Sequence, residues 1–404
     1  MGYKRGYHEK EQDRACNTYS GRLPDKEWSV FHTAPGHHFM KLCKFCNSSK
    51  GGSFKQGKCE ICEDKLLQLD KLAEKAAMAL PEISTFSLST GMPSKWLAQE
   101  EMAWDETLGN TVSLKTFVNQ YLNRKISELG GKKPRNDGDV QLSVDLASGA
   151  IAFKYNDMFV FGRYLKLASG ISQSRWSCSK CRGNGCAECN NSGKFYHSLE
   201  EEIGEPLRAA TKAKDYTLHA SGREDIDVTN AAGRPFVMQL VEAQARKPDL
   251  AAVAKKIKAG GKVEVKNLQL AKRGDVELVS ASHFDKAYVA TVEFEHALSK
   301  EELKRVLSLH GKMIDQQTPA RVQHRRADIN RSRKLLSLKL IKMKDNAGEF
   351  EISAEAGTYI KELITGDNNR TKPSFASILG MQVKCTGLRV ARIEDEFLDS
   401  YFKK

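Results

Sequence analysis

Eight of the ten cysteines fall into four Cys-x-x-Cys pairs, and this spacing constrains the chain more than any other feature. A Cys-x-x-Cys turn offers two sulfurs on one side of a tight bend, and two such turns complete the tetrahedron of thiolates that zinc favours. In "CKFCNSSKGGSFKQGKCEICEDK" twelve residues separate the pair Cys43 and Cys46 from the pair Cys59 and Cys62, and we expect one closed structural zinc site there. In "CSKCRGNGCAECNNSG" only four residues separate Cys178 and Cys181 from Cys186 and Cys189. This second group either closes a site of its own, as a zinc knuckle, or lends a pair to a site elsewhere. Its glycines Gly183, Gly185 and Gly193 are expected to take the positive-φ turns that aim backbone amides at thiolates. Cysteines committed to metal in a long chain argue against a disulfide framework and for reduced thiols.

A chain of 404 residues has room for two or three domains, each with its own core, which argues against a lone small binding module. Lys+Arg exceeds Asp+Glu by 64 to 51, and the formal charge of +13 points toward a polyanionic partner. No apolar run is long enough to cross a bilayer, and "MGYKRGYHEKEQDRACNTYS" lacks the apolar stretch of a signal peptide. A soluble, cytoplasmic, monomeric protein with no membrane partner is the expectation.

Residues 1–40 are rich in His, Gly and charge without a period, and read as an extension. Residues 41–200 read as an α/β accessory domain. There "CEDKLLQLDKLAEKAAMAL" has helical spacing, "ISTFSLSTGMP" alternates like a strand, and "TVSLKTFVNQYLNRKISELGGKKP" is a helix stopped by Gly-Gly. "VQLSVDLASGAIAFKYNDMFVFGRYLKL" then reads as three strands. Arg124, Lys125, Lys132, Lys133 and Arg135 crowd one connection, either as a solvated face or as phosphate contacts. Residues 201–404 alternate as strands: "YTLHAS", "DIDVTN", "RPFVMQLVEA", "KVEVKNLQLA", "KAYVATVEFEH", "SLKLIKMK", "FEISAEAG" and "MQVKCTGLRVARIED". With helices such as "DLAAVAKKIKAG" and "SKEELKRVLSLHG" between them, the expected fold class is α+β on a large, mostly antiparallel sheet.

Three stretches of this second half stand in a telling order: Gly222-Arg223-Glu224-Asp225, Lys286-Ala287-Tyr288 and "GTYIKEL" from Gly357. Together they resemble the three active-site motifs of pseudouridine synthases, a Gly-Arg-x-Asp loop, a Lys-x-Tyr strand and a Gly-Thr-Tyr-Ile-Lys/Arg strand. The flanking "GRPFVMQ", "RVQHRRAD", "YIKELITGD" and "RTKPSFASILG" are similar to the archaeal-type tRNA pseudouridine synthases of the tenth Pus family. "FVFGRYLKLASGISQSRW" and "TFSLSTGMP" resemble the zinc-binding, THUMP-containing half that precedes the catalytic domain in that family.

The resemblance implies that Asp225 attacks the sugar or withdraws its proton while the uracil departs. A buried carboxylate takes up a proton unless a cation stands beside it, and Arg223 and Lys361 are the expected cations. Glu224 and Asp227 are expected to point to solvent or local amides. Tyr288 would stack on the uracil and take the C5 proton, while Ile360 and Leu388 would lie beneath the base. Because the target uridine must be flipped out of a folded RNA, a basic surface should hold that RNA by its shape. "RVQHRRADINRSRK", with Arg325 and Arg326, and "KKIKAGGKVEVKNLQLAKR" are the expected contacts. The resemblance further implies the T loop of tRNA at uridine 55, and often uridine 54. The competing expectation is a non-catalytic zinc/THUMP adaptor that holds tRNA for another enzyme; retention of Asp225, Tyr288 and Lys361 together argues against it.

Overall fold

A computed structural model describes residues 40–50, 55–104 and 112–403, so all but the last residue of the expected N-terminal extension lies outside the described residues. The first described strands, β1 (Lys41–Leu42) and β2 (Lys55–Gln56), form a small parallel pair beside the first cysteine group. Next come β3 (Thr85–Gly91), β4 (Lys133–Pro134), β5 (Val140–Asp145) and β6 (Ile151–Tyr155), in the spatial order β4-β3-β5-β6. Helices Leu69–Ala79 and Leu114–Gly130 pack with this sheet, burying Leu72, Ala76, Val118, Leu122 and Ile126 with Phe86, Val140 and Leu142. The longer helix begins at Ser113, whose side chain accepts from the Thr116 amide, and ends at Gly131 in the left-handed conformation. Its stop at Gly130-Gly131 is the one expected of the sequence.

The large sheet contains β7 (Met158–Lys166), β8 (Asp215–Ala220), β9 (Thr229–Val241), β10 (Val263–Ala271), β11 (Lys286–Phe294), β12 (Met313–Gln317), β13 (Asn330–Lys344), β14 (Ala347–Ala354), β15 (Thr371–Lys372) and β16 (Val383–Ile393). Its order is β10-β7-β9-β16-β11-β14-β13-β12-β15, with β8 also paired to β9. Among the described residues every pairing in it is antiparallel except β9 with β16, which meet in parallel at Arg389 opposite Thr229 and Val390 opposite Asn230. This short joint divides two cores. Helices Leu199–Thr211 and Leu250–Ala259 cover one, around Tyr164, Phe236 and Met238. Helices Lys300–Leu307, Ile360–Thr365 and Phe375–Leu379 cover the other, around Ala290, Phe350 and Ile352.

Three expectations change. First, the third strand expected in the accessory half, β7, pairs with β9 and β10 in the large sheet and not with β6. Its near-continuous burial comes from two cores, Met158, Val160 and Tyr164 packing with Phe236 and Met238 and Phe161 packing with Val237 and Val279. Second, the strand expected over "DIDVTN" begins only at Thr229. The acidic stretch before it is a loop, and the Lys166 ammonium binds the Asp225 and Ile226 carbonyls at 2.9 and 2.7 Å, bonds a strand would give to a neighbour. Third, "GTYIKEL" is not a strand. Gly357 sits at φ +87°, the buried Gln316 side chain bonds both the amide and the carbonyl of Tyr359, and a helix follows from Ile360.

Candidate active site

The loop between β8 and β9, the inner face of β11, the start of the Ile360–Thr365 helix and the middle of β16 enclose one cavity of about 370 Å³. It gathers Arg223, Asp225, Tyr288, Arg326, Ile360, Lys361 and Leu388, residues spread over the second half of the sequence. The side chains of His324 and Arg325 lie outside the described part of the chain. A second cleft of about 690 Å³ lies where β6, β7 and β10 come together. Its charges are of both signs and partly matched, as in Arg246 to Asp139 at 3.1 Å, so volume alone does not mark the chemistry.

Asp225 is held from two sides. Arg321 Nη1 donates to its Oδ1 at 2.8 Å, and Lys361 Nζ stands 3.6 Å from its Oδ2. Of the two expected cations, Arg223 and Lys361, only Lys361 stands beside Asp225; the second cation is Arg321, from 96 positions further on. Arg321 opens the basic stretch expected to face RNA. Nothing in "RVQHRRAD" separates its first arginine from the others, but the turn after Pro319 carries it inward, where Nε also binds the buried Glu362 at 2.7 Å. Its guanidinium is held charged, because the two carboxylates outweigh the cost of its burial. Lys361 also binds Asp227 at 2.6 Å. Burial opposes charge on Asp227, and the Lys361 contact outweighs it, leaving this carboxyl below its usual range. Arg223 lies toward the cavity's outer wall, its guanidinium 5.3 Å from the centre of the Trp176 ring.

Glu224 corrects the sequence reading most plainly. Expected to point to solvent or to local amides, its side chain is 1% exposed, as is that of Arg234, which lies 2.7 Å away. The Arg234 Nε contact is close without being aligned as a hydrogen bond, while Nη1 donates to the Ser221 carbonyl at 2.7 Å. Tyr164 donates to Glu224 at 2.9 Å, and Gln173 bridges the Tyr164 hydroxyl to the Gly222 carbonyl. Gly222 turns at φ +78°, with Arg234 Nη1 only 3.1 Å from where a Cβ would sit. The acidic loop is thus clamped from beneath by residues of β7 and β9, a buried network that is expensive to leave half-satisfied.

Tyr288 projects from β11 opposite Ile352 and Val390, in contact with the apolar seam of Val228, Val390 and Ile393. Removal from water pushes its phenol up to about 12, so the hydroxyl stays protonated and can accept a proton only while passing its own onward. Lys286, two residues earlier, is pushed down to about 8, first by desolvation and then by the Arg234 charge.

Each cysteine group closes on itself. In both, the four sulfurs lie within 4.8 Å of one another. Four thiolates around zinc stand about 3.8 Å apart, given a Zn–S bond of about 2.3 Å. The closest sulfur pairs agree: 3.5 Å for Cys43 and Cys62, 3.8 Å for Cys178 and Cys186, 3.8 Å for Cys181 and Cys189, and 3.7 Å for Cys186 and Cys189. Gly185 and Cys186 amides point at sulfurs at 3.2 Å, and Gly183, Gly185 and Gly193 hold the positive φ expected of them. These donor sets fit a tetrahedral, thiophilic cation.

The family description "Pus10, C-terminal" matches residues 159–394, beginning at β7. The tRNA pseudouridine synthase Pus10 of Archaeoglobus fulgidus is 36% identical over 359 residues, covering 88% of this chain and all of that one. Its counterpart in Korarchaeum cryptofilum is 36% identical over 347 residues, 83% of this chain and 93% of that one. The Methanocaldococcus jannaschii protein of the same name is 44% identical over 263 residues, and that match spans only 58% of its length. Fold, cleft and relatives together define a pseudouridine synthase, an enzyme of the isomerase class. The chain belongs to the Pus10 family.

Proposed function

We propose that this enzyme isomerises uridine 55 of the tRNA T loop, and uridine 54 beside it, to pseudouridine, with Asp225 as the reacting carboxylate. The observation that carries the reading is an aspartate set between Arg321 and Lys361 on a cavity that Tyr288 also lines. The relatives' names give tRNA as the substrate, and the T-loop position rests on the motif resemblance.

Asp225, paired with Arg321 and Lys361, attacks the sugar carbon as the N1 glycosidic bond breaks, or withdraws a sugar proton to the same end. The freed uracil turns in place, C5 bonds the sugar carbon, and the carboxylate is released or returns the sugar proton it withdrew. The C5 proton leaves through the Tyr288 hydroxyl as a relay, and N1 ends protonated, so no redox partner or energy source is needed. Ile360 and Leu388 supply the apolar bed for the base, and Arg223 and Arg326 edge the entrance. Arg325 and Arg326 are assigned to RNA contact. The two cysteine groups would hold structural zinc, which adds folding free energy and no step of the reaction. Cytoplasmic localisation suits a tRNA substrate, and no described helix is long and apolar enough to cross a membrane.

Incubation with an unmodified tRNA transcript, followed by carbodiimide treatment and primer extension, maps the product. We expect a stop at position 55 with the wild-type protein. Asp225→Asn should bind the transcript with unchanged affinity and form no pseudouridine, since it keeps the shape and removes the charge. Turnover by pure Asp225→Asn protein would falsify the assignment.

A further inference from the structure

The second cysteine group sits beside the cavity, and its rings face outward. Phe195 and Tyr196 follow the last cysteine by a few residues and are 49% and 41% exposed. Trp176, two residues before Cys178, meets Tyr196 edge to face at 6.3 Å between ring centres. The Arg223 guanidinium lies over the Trp176 ring, and Arg223 lines the catalytic cavity. Large rings left in water on a loop whose fold is already fixed by four sulfurs and three positive-φ glycines need a reason other than packing.

Charge and continuity say which occupant suits them. Arg223 lines the cavity and lies over the Trp176 ring, which in turn meets Tyr196, and the exposed Arg182 adds a cation on the same loop. Lys180 and Lys194 are engaged by Glu188 and Glu201, so the platform is aromatic with a cationic edge and not a plain basic patch. Planar π faces beside guanidinium groups fit an unpaired nucleobase, which stacks on the ring while its phosphate meets the cation. Flipping one uridine out of a loop unstacks its neighbours, and these then need a new surface.

We propose that Tyr196 and Phe195, backed by Trp176 and Arg223, form a stacking platform for an unpaired base of the RNA substrate adjacent to the flipped uridine. The inference rests on the functional reading above and assigns the second cysteine group the task of presenting that platform.

The test uses the full-length, metal-loaded protein and an unmodified tRNA transcript. Affinity, the single-turnover rate at saturating RNA, zinc content and melting temperature are measured for Tyr196→Ala, Phe195→Ala, their double variant and the conservative Tyr196→Phe. Loss of one stacked base should weaken binding by about 5- to 150-fold. The saturated rate, zinc content and melting temperature should stay at wild-type values, and Tyr196→Phe should restore affinity. Unchanged affinity in the double variant overturns the platform. So does a loss that Tyr196→Phe fails to restore, or one that comes with lower zinc content or melting temperature, since the rings would then be packing for the loop. Failure of the functional reading looks different: the wild-type protein itself would bind or modify no transcript.

Discussion

Arg321 reaches two carboxylates at once, and that geometry decides what its loss should do. Its planar fork binds Asp225 with one nitrogen and the buried Glu362 with another, a spread of donors that the single nitrogen of an ammonium does not match. Arg321→Ala should therefore misplace Asp225 and lower the single-turnover rate by about 10²-fold at saturating RNA. Arg321→Lys should recover only part of that loss. A wild-type rate in Arg321→Ala would reduce this residue to the surface contact its sequence neighbourhood suggested. Tyr288 carries a separate prediction through its shifted phenol. Below the ordinary tyrosine value of 10.0 both the folded and unfolded chains keep the proton; between there and about 12 the unfolded chain ionises while the folded one does not. Stability should thus fall as pH rises through that window, and the fall should be shallower in Tyr288→Phe. Denaturant titrations at pH 8 and at about 10.5 compare the slopes, and identical slopes would mean the phenol is not held neutral. The same variant should keep its RNA affinity and lose product formation by about 10²–10⁴-fold if the hydroxyl relays the C5 proton.

At the scale of an element, the Ser221–Asp227 loop is a rigid seat and not a flexible connection. Glu224, Tyr164, Gln173, Arg234 and Lys166 tie it to the strands below. The two acids beside Asp225 should then respond in opposite ways. Glu224→Ala strands the Arg234 charge in the interior and should cost about 3–5 kcal/mol of stability, read from the denaturation midpoint. Asp227→Ala removes a carboxylate whose side chain is 65% exposed, and should cost no more than about 1 kcal/mol. Equal midpoints would mean that the network does not hold the loop. From the sequence these acids look alike, since both flank Asp225 in one polar run. What separates them is which strand passes beneath the loop, and periodicity within the loop carries no information about that.

For the whole molecule, the two cysteine groups serve different halves. Cys43, Cys46, Cys59 and Cys62 are part of the accessory core, with Phe45, Ile61 and Leu66 around them. Cys178, Cys181, Cys186 and Cys189 stand near Trp176 and Arg223, by the acidic loop between β8 and β9. Elemental analysis should find two zinc ions per chain. Cys46→Ser should lose one equivalent and unfold the accessory half, because metal binding there is folding free energy. Cys186→Ser should lose the other and weaken RNA binding while the accessory half still melts as in the wild type. Loss of both ions from either variant would show the two groups to be one linked site.

The cysteine spacing pointed to the first four-sulfur group without help from the fold, because its ligands lie within twenty residues, while the short gap in the second left its pairing open until the structure brought its four sulfurs together. The long helices, the alternating strands and the order of the three motifs were also readable, since periods of 3.6 and 2 residues are written along the chain itself. The motifs named Asp225, Tyr288 and Lys361, and the cavity gathers all three. Only the tertiary structure decided that Arg321 grips Asp225, that Glu224 is buried, and that β7 belongs to the large sheet. It alone turned "YIKEL" into a helix as well. Each of these depends on what lies across space from a residue, and a buried charge is told from an exposed one only by the strand that covers it.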